Sequence, residues 1–198
     1  MQRRKFIQSG TLAAASLVLA RSAAAGMLTG KNAFPSPGLQ LYTLGDMMTK
    51  DAKDTLLQLA AIGYKELESA GSQKGNFYGY KPKELAAMIK DAGMTWRSAH
   101  GAAFNMQSLL KMAKTGEDSA RIEKIRDRMK NMPKSLNLKE NHQELADAAA
   151  EGGIGYLVCS SIPVSTLDEI KSAVDVFNKA GEACKKAGVQ FAYHNHTS

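Results

Sequence analysis

The sequence predicts an α/β fold, an incomplete (β/α)8 TIM barrel with about five parallel strands and intervening helices. Short apolar strands alternate with amphipathic helices from residue 37 onward, at spacings typical of right-handed βαβ units. Each predicted strand has a polar face, whereas the strands of a doubly wound sheet are apolar on both faces. No glycine-rich phosphate loop follows the first strand, which also disfavours a doubly wound fold. A complete barrel needs ~250 residues, and this sequence has 198.

The predicted elements follow one another in a regular order. Strands are predicted at residues 38–42, 64–68, 94–99, 154–160 and 189–194. Helices are predicted at residues 51–62, 82–92, 119–132, 140–151 and 166–187. Each helix has apolar residues three and four positions apart, as Leu85, Met88 and Ile89 show in the second. Asp51 before the first helix and Gly188 after the last are typical cap residues.

The first 25 residues resemble a bacterial twin-arginine export signal. Arg3 and Arg4 precede a short alanine-rich apolar stretch, and Ala23 to Ala25 supply the small residues that a signal peptidase accepts. A chance basic start before an alanine-rich helix is the alternative interpretation. We expect residues 1–25 to be a cleaved signal, residues 26–36 a linker and residues 37–198 the barrel domain, which is then exported to the periplasm.

Composition excludes several classes of protein. The chain is 44% hydrophobic and 23% charged, which is typical of a globular protein, and no apolar run is long enough to span a membrane. The net charge of the chain is +7. Residues 1–25 contain four basic residues and no acidic residue, so the remaining residues carry a net charge of +3. Residues 111–134 carry a net charge of +4, so the rest of the chain after residue 25 is about neutral at −1, and we expect no nucleic-acid partner. Cys159 and Cys184 are expected to be separately buried thiols.

Four segments resemble the sugar phosphate isomerase/epimerase family, the xylose-isomerase-like TIM barrels. They are Gly38-Leu-Gln-Leu-Tyr-Thr43, Ala61-Ile-Gly-Tyr-Lys-Glu-Leu-Glu68, Ser98-Ala-His100 and Phe191-Ala-Tyr-His-Asn-His196. The resemblance implies a barrel with a divalent metal (Mn, Mg, Co or Zn) at the carboxyl-terminal mouth. It also implies proton transfer next to the carbonyl of a sugar or polyol.

The same resemblance implies a chain that is truncated after its fifth strand, with most metal ligands beyond Ser198. We therefore expect this fragment itself to be inactive and, with two strand edges unpaired, to form homo-oligomers or aggregates. A keto-sugar or inosose dehydratase or lyase of the same superfamily and a non-catalytic sugar-binding barrel are the alternative functions.

Six residues are candidates for the site. His194 and His196 lie two apart on a strand, so both imidazoles share one face and could move protons or bind the metal. His100 and Glu68 close the third and second strands and complete the catalytic set. A structural histidine pair, a capping His100 and a salt bridge from Glu68 to Lys65 or Lys74 are the alternatives. Gln40 and Tyr42 are the candidate substrate-binding residues.

Overall fold

The computed structural model describes residues 35–103 and 135–195, together with Glu123, Asp127 and Pro133. The signal segment at residues 1–25, the predicted helix at residues 119–132 and His196 lie outside the described residues.

Strands and helices alternate along the described chain, as the sequence predicts. The strands are β1 Gly38–Gln40, β2 Glu66–Ser69, β3 Thr95–Ala102, β4 Tyr156–Ser161 and β5 Gln190–Tyr193. The described helices are α1 Gly45–Lys50, α2 Ala52–Ile62, α3 Pro82–Asp91, α4 His142–Glu151 and α5 Leu167–Ala187. Most predicted boundaries lie within two residues of those observed, because the caps act as expected. Asp51 accepts a hydrogen bond from the Asp54 amide, and Gly63 ends α2 with a φ of 115°.

The end of the first predicted strand differs from the structure. β1 stops at Gln40, and a 3-10 turn at Leu41–Leu44 leads into α1, which the sequence did not reveal. The Gln40 side chain accepts a hydrogen bond from the Tyr42 backbone N–H. That bond turns the chain away from the sheet, because the amide can no longer join the ladder.

All five strands are parallel and stand in the order β1-β2-β3-β4-β5. In a doubly wound sheet the first strand lies inside the sheet, with later strands on both sides. Here β1 is at one edge and each strand pairs with its successor, which is the topology of consecutive barrel strands. The predicted fold class is therefore confirmed.

The helices cover one face of the sheet and bury the main apolar core. Leu56 of α2, Leu85 of α3 and Leu145 of α4 are almost fully buried there, as is Leu67 of β2. From the sequence, one apolar stripe is predicted to face the core from α5, formed by Leu167, Ile170, Val174, Phe177 and Cys184. Its first half is wrong, since Leu167, Ile170 and Val174 are exposed. The residues that α5 buries are instead mostly small: Ala173, Val176, Ala180, Ala183 and Cys184. Small side chains let α5 lie close to α4 and β5.

A register shift between β2 and β3 changes which β3 side chains face the helices. Leu67 pairs with Trp96 but Glu68 pairs with Ser98, so Arg97 has no partner in β2. Trp96 is buried on the helix side, where its ring meets Phe77 edge-on and its Nε1–H donates to Ser69 Oγ at 3.0 Å. Ser98 and His100 then face the opposite side of the sheet. Simple alternation would have placed Trp96 and His100 on the same face.

Within the described part of the chain, no helix is both long enough and apolar enough to cross a lipid bilayer.

Leu56 and Leu57 allow a matched test of the α2 core contact. Leu56 is fully buried and Leu57 is 49% exposed, on the same helix. We expect Leu56→Ala to lower the free energy of unfolding by about 2–5 kcal/mol, because it leaves a cavity in the core. Leu57→Ala should lower it by less than about 1 kcal/mol. Urea unfolding followed by circular dichroism measures both, and equal losses would contradict this placement of α2.

Candidate functional site

The sheet face opposite the helices carries a row of polar residues, one from each strand. Strand pairing places these residues side by side: Gln40, Glu68, Ser98, Tyr156 and Gln190. Paired residues in neighbouring strands project to the same face. This row and the residues just beyond it, toward the carboxyl ends of the strands, form the candidate site.

Glu68 is at the centre of the hydrogen-bonded part of this face. Ser98 Oγ donates to Glu68 Oε2 at 2.5 Å. His100 Nε2 lies 2.9 Å from Glu68 Oε1, and the two side chains are 13% and 24% exposed, respectively. The N–H of Nε2 is not aligned with Oε1, so this is a bent and therefore weak hydrogen bond. Both carboxylate oxygens of Glu68 thus have a partner on β3.

The pKa of Glu68 is held below its ordinary value of 4.5. Burial raises the pKa of this carboxyl, but hydrogen bonds from His100 and Ser98 and the nearby imidazoles of His100 and His194 lower it by more. Glu68 is therefore a carboxylate at neutral pH. A carboxylate with a lowered pKa is a weak base, but it is a strong acceptor of hydrogen bonds from hydroxyl groups.

Gln40 connects β1 to the same cluster. Its Nε2 lies 3.2 Å from His100 Nδ1, although β2 separates the two strands. Its Oε1 accepts from the Tyr42 backbone N–H. His100 therefore has a neighbour at each ring nitrogen, with Gln40 on one side and Glu68 on the other.

His194 follows β5 and reaches His100 across β4. Their ring centroids are 4.7 Å apart and the rings meet edge-on. Strands two positions apart in a flat sheet are separated by roughly 10 Å. The contacts from β1 to β3 and from β3 to β5 therefore show that this face is concave, as the interior of a barrel is.

Four of the six predicted site residues come together in this cluster: Gln40, Glu68, His100 and His194. Tyr42 does not join them, because its side chain is 75% exposed on the turn after β1 and only its backbone N–H contacts Gln40. His196 lies outside the described residues. Glu68 contacts His100 in the described chain, whereas Lys74 donates to the Thr49 carbonyl.

Sequence reasoning assigned no role to Ser98, the hydroxyl that binds Glu68. Ser98 could have been found from the sequence, because it lies two residues before His100 and alternate residues of a strand lie on one face. Arg97 was also missed; it pairs with Glu66 at 2.7 Å at the exposed start of this face.

The described residues do not form a metal site by themselves. Among residues 35–103 and 135–195 no group of three His, Cys, Asp or Glu side chains is placed to hold a metal ion.

Comparison with known proteins gives matches among solved structures, while no protein-family model and no curated protein matches the chain. A sugar phosphate isomerase/epimerase from Parabacteroides distasonis is 28% identical over 84% of this chain and 54% of its own, with a TM-score of 0.56. A second structure with that description, from the same organism, is 27% identical over 80% and 54%, with a TM-score of 0.57.

A D-psicose 3-epimerase with D-tagatose, from Clostridium cellulolyticum, is 17% identical over 79% of this chain and 51% of its own, with a TM-score of 0.50. At that identity the likeness concerns the fold alone. The chain spans about half the length of the solved structures it matches. The five parallel strands and their helices thus have the fold of part of a TIM barrel, of the kind found in sugar phosphate isomerase/epimerase and xylose-isomerase-like proteins.

Proposed function

We propose that the concave face is part of the sugar site of an isomerase or epimerase, an enzyme that moves a proton on a carbon next to a carbonyl. The observation that carries the proposal is the ionised Glu68, held by His100 and Ser98 toward the carboxyl ends of parallel strands. In barrels of this kind, active sites lie at that end of the strands. The likeness to two solved structures described as sugar phosphate isomerase/epimerases supports the same class.

In this proposal the carboxylate of Glu68 and the imidazole of His194 have different roles. Glu68 uses one lone pair of each oxygen for His100 and Ser98, which leaves others to accept from sugar hydroxyls. His194 stands at the carboxyl end of β5, and imidazole transfers protons readily near neutral pH. In this proposal Glu68 orients the sugar while His194 takes the proton from carbon. The electron pair of that C–H bond passes to the carbonyl as an enediolate, which is then reprotonated.

A divalent cation belongs to the proposal only through the sequence resemblance, with His194 and His196 as its expected ligands. The described residues do not supply a set of three ligands, so none of the steps above is assigned to a cation.

Two other functions would leave different products. A dehydratase or lyase of the same superfamily also begins by removing a proton next to a carbonyl, but it expels water. A sugar-binding barrel would bind the same ligands without any exchange of carbon-bound hydrogen. Mass spectrometry in D2O separates the three outcomes: isomerisation through exchange with solvent adds one carbon-bound deuterium, dehydration yields a product that is lighter by one water, and binding alone leaves the sugar unchanged.

Glu66 and Glu68 provide a matched pair of variants for testing the site. They lie two residues apart on one face of β2, but the Glu66 side chain is 38% exposed, against 24% for Glu68, and it pairs with Arg97. We expect Glu68→Gln to lower kcat/KM by about 10–100-fold, because hydrogen bonds to charged groups contribute about 1.5–3 kcal/mol. Glu66→Gln should stay within about twofold. His194→Asn should lower kcat by about 100-fold or more.

The assay is incorporation of deuterium from D2O next to the carbonyl, across a panel of ketoses, aldoses and polyols. It is measured on the complete natural polypeptide that contains this sequence. Binding without exchange would replace the proposal with a binding module, and equal activity of the two glutamate variants would remove Glu68 from the site.

The lowered pKa of Glu68 gives its stability contribution a definite pH dependence. Because the pKa is lower in the folded state than the ordinary 4.5, ionised Glu68 stabilises the fold above that value. The contribution is lost as pH falls through the folded pKa. We expect the difference in unfolding free energy between wild type and Glu68→Gln to be largest at neutral pH and to shrink below pH 4.5, as measured by urea unfolding.

Variants at Ser98 and Ser165 test whether the hydrogen bond from Ser98 lowers the pKa of Glu68. Ser98→Ala removes a hydrogen bond to the carboxylate, so the pKa of Glu68 should rise, as measured by carboxyl ¹³C NMR titration. Ser165→Ala, at an exposed position before α5, should leave it unchanged. An equal pKa in wild type and Ser98→Ala would contradict the assigned cause.

Export through the twin-arginine route is also a proposal, which rests on Arg3, Arg4 and residues 23–25. Replacing both arginines by lysine preserves the charge but removes the paired guanidinium groups. We expect this variant to remain as uncleaved precursor in the cytoplasm, as measured by cell fractionation and immunoblotting. Replacing Lys5 by arginine is the control and should leave export intact; normal export of the double-lysine variant would refute the signal.

A further inference from the structure

The amide of Gln40 has a defined orientation because a backbone group sets it. The Tyr42 N–H can only donate, so the Gln40 atom that faces it must be the oxygen Oε1. The nitrogen Nε2 is then the atom that lies 3.2 Å from His100 Nδ1. An amide flip would place the NH2 group against another N–H donor.

The orientation of the Gln40 amide also determines which ring nitrogen of His100, Nδ1 or Nε2, carries the hydrogen. An amide NH2 group can only donate, so Nδ1 of the neutral His100 ring must accept and carries no hydrogen. A neutral imidazole then has its hydrogen on Nε2, which faces the Glu68 carboxylate at 2.9 Å. The other tautomer would bring two donors together at Nδ1 and turn a lone pair toward a carboxylate. The contacts at both ring nitrogens therefore favour the same tautomer.

We infer that Gln40 is a positioning residue, which fixes His100 in its Nε2–H tautomer so that His100 holds Glu68 in place. His100 acts through Glu68, because its only basic lone pair is occupied by Gln40 and its N–H faces the carboxylate. This revises the expectation that His100 itself transfers protons. The assignment of the tautomer does not depend on the proposed function. Only its effect on catalytic turnover rests on that proposal.

Nitrogen NMR of the full chain tests this inference without a substrate. The ¹⁵N shifts of an imidazole report which ring nitrogen carries a proton, and His100→Asn identifies the His100 signals among four histidines. In mildly alkaline buffer we expect Nε2 of His100 to be protonated and Nδ1 to be unprotonated. A protonated Nδ1 in the wild-type protein would overturn the inference by itself, whether or not any variant folds.

Gln40→Glu provides the decisive variant, since it keeps the shape and the acceptor for the Tyr42 N–H. Its second oxygen would face Nδ1 as an acceptor instead of a donor, so Nδ1 should become protonated and its resonance should move into the protonated range. Gln190→Glu is the matched control, because it adds the same charge to the same row of the sheet two strands from His100. It should leave the His100 spectrum unchanged.

Two results would refute the role of Gln40. One is an unprotonated Nδ1 in folded Gln40→Glu, and the other is an equal change in Gln190→Glu. If the tautomer responds as expected but sugars show no exchange or binding in the assay above, the proposed function fails while the positioning role of Gln40 stands.

Discussion

A carboxylate that is only 24% exposed can remain ionised only if donors replace the water it has lost, and this requirement on Glu68 organises the concave face. Its two donors, Ser98 and His100, come from β3, and Gln40 of β1 supports His100 from the other side. One charged group on β2 thus links three neighbouring strands through side chains, in addition to the backbone ladder. Removing any of these partners leaves a polar group without a hydrogen-bonding partner. The loss of stability is then larger than the net contribution of the hydrogen bond itself.

The concavity of that face depends on the opposite side of the sheet. Helices pack there over buried leucines, and α5 contributes small buried side chains together with the Phe177 ring, which contacts Phe191 and Tyr193 of β5. The register shift at Arg97 adds a second constraint, since it places Trp96 in the helix-side core while Ser98 and His100 face the other way. Without the shift, the largest aromatic residue of β3 and the central histidine would compete for one face.

The proposed class of function rests on two observations, the likeness to solved structures and the polar cluster. Two solved structures described as sugar phosphate isomerase/epimerases share the fold at 27% and 28% identity, and they are about twice as long as the matched region. The cluster was identified from contacts within this chain alone. A hydroxyl-binding carboxylate beside an imidazole suits a sugar, because sugars offer many donors and one acidic C–H position.

The sequence by itself determined the fold class, and it named four polar residues that the structure brings together. Periodicity and caps such as Asp51 and Gly63 act locally, and polar residues near the carboxyl ends of parallel strands must meet at one edge. Only the tertiary structure decided that β1 ends at Gln40, that Tyr42 is exposed and that Ser98 is the second donor to Glu68. It also decided which face His100 occupies and which helix face α5 buries. These features depend on a one-residue register shift and on close approach between distant segments, and such contacts leave no periodic signal in a single sequence.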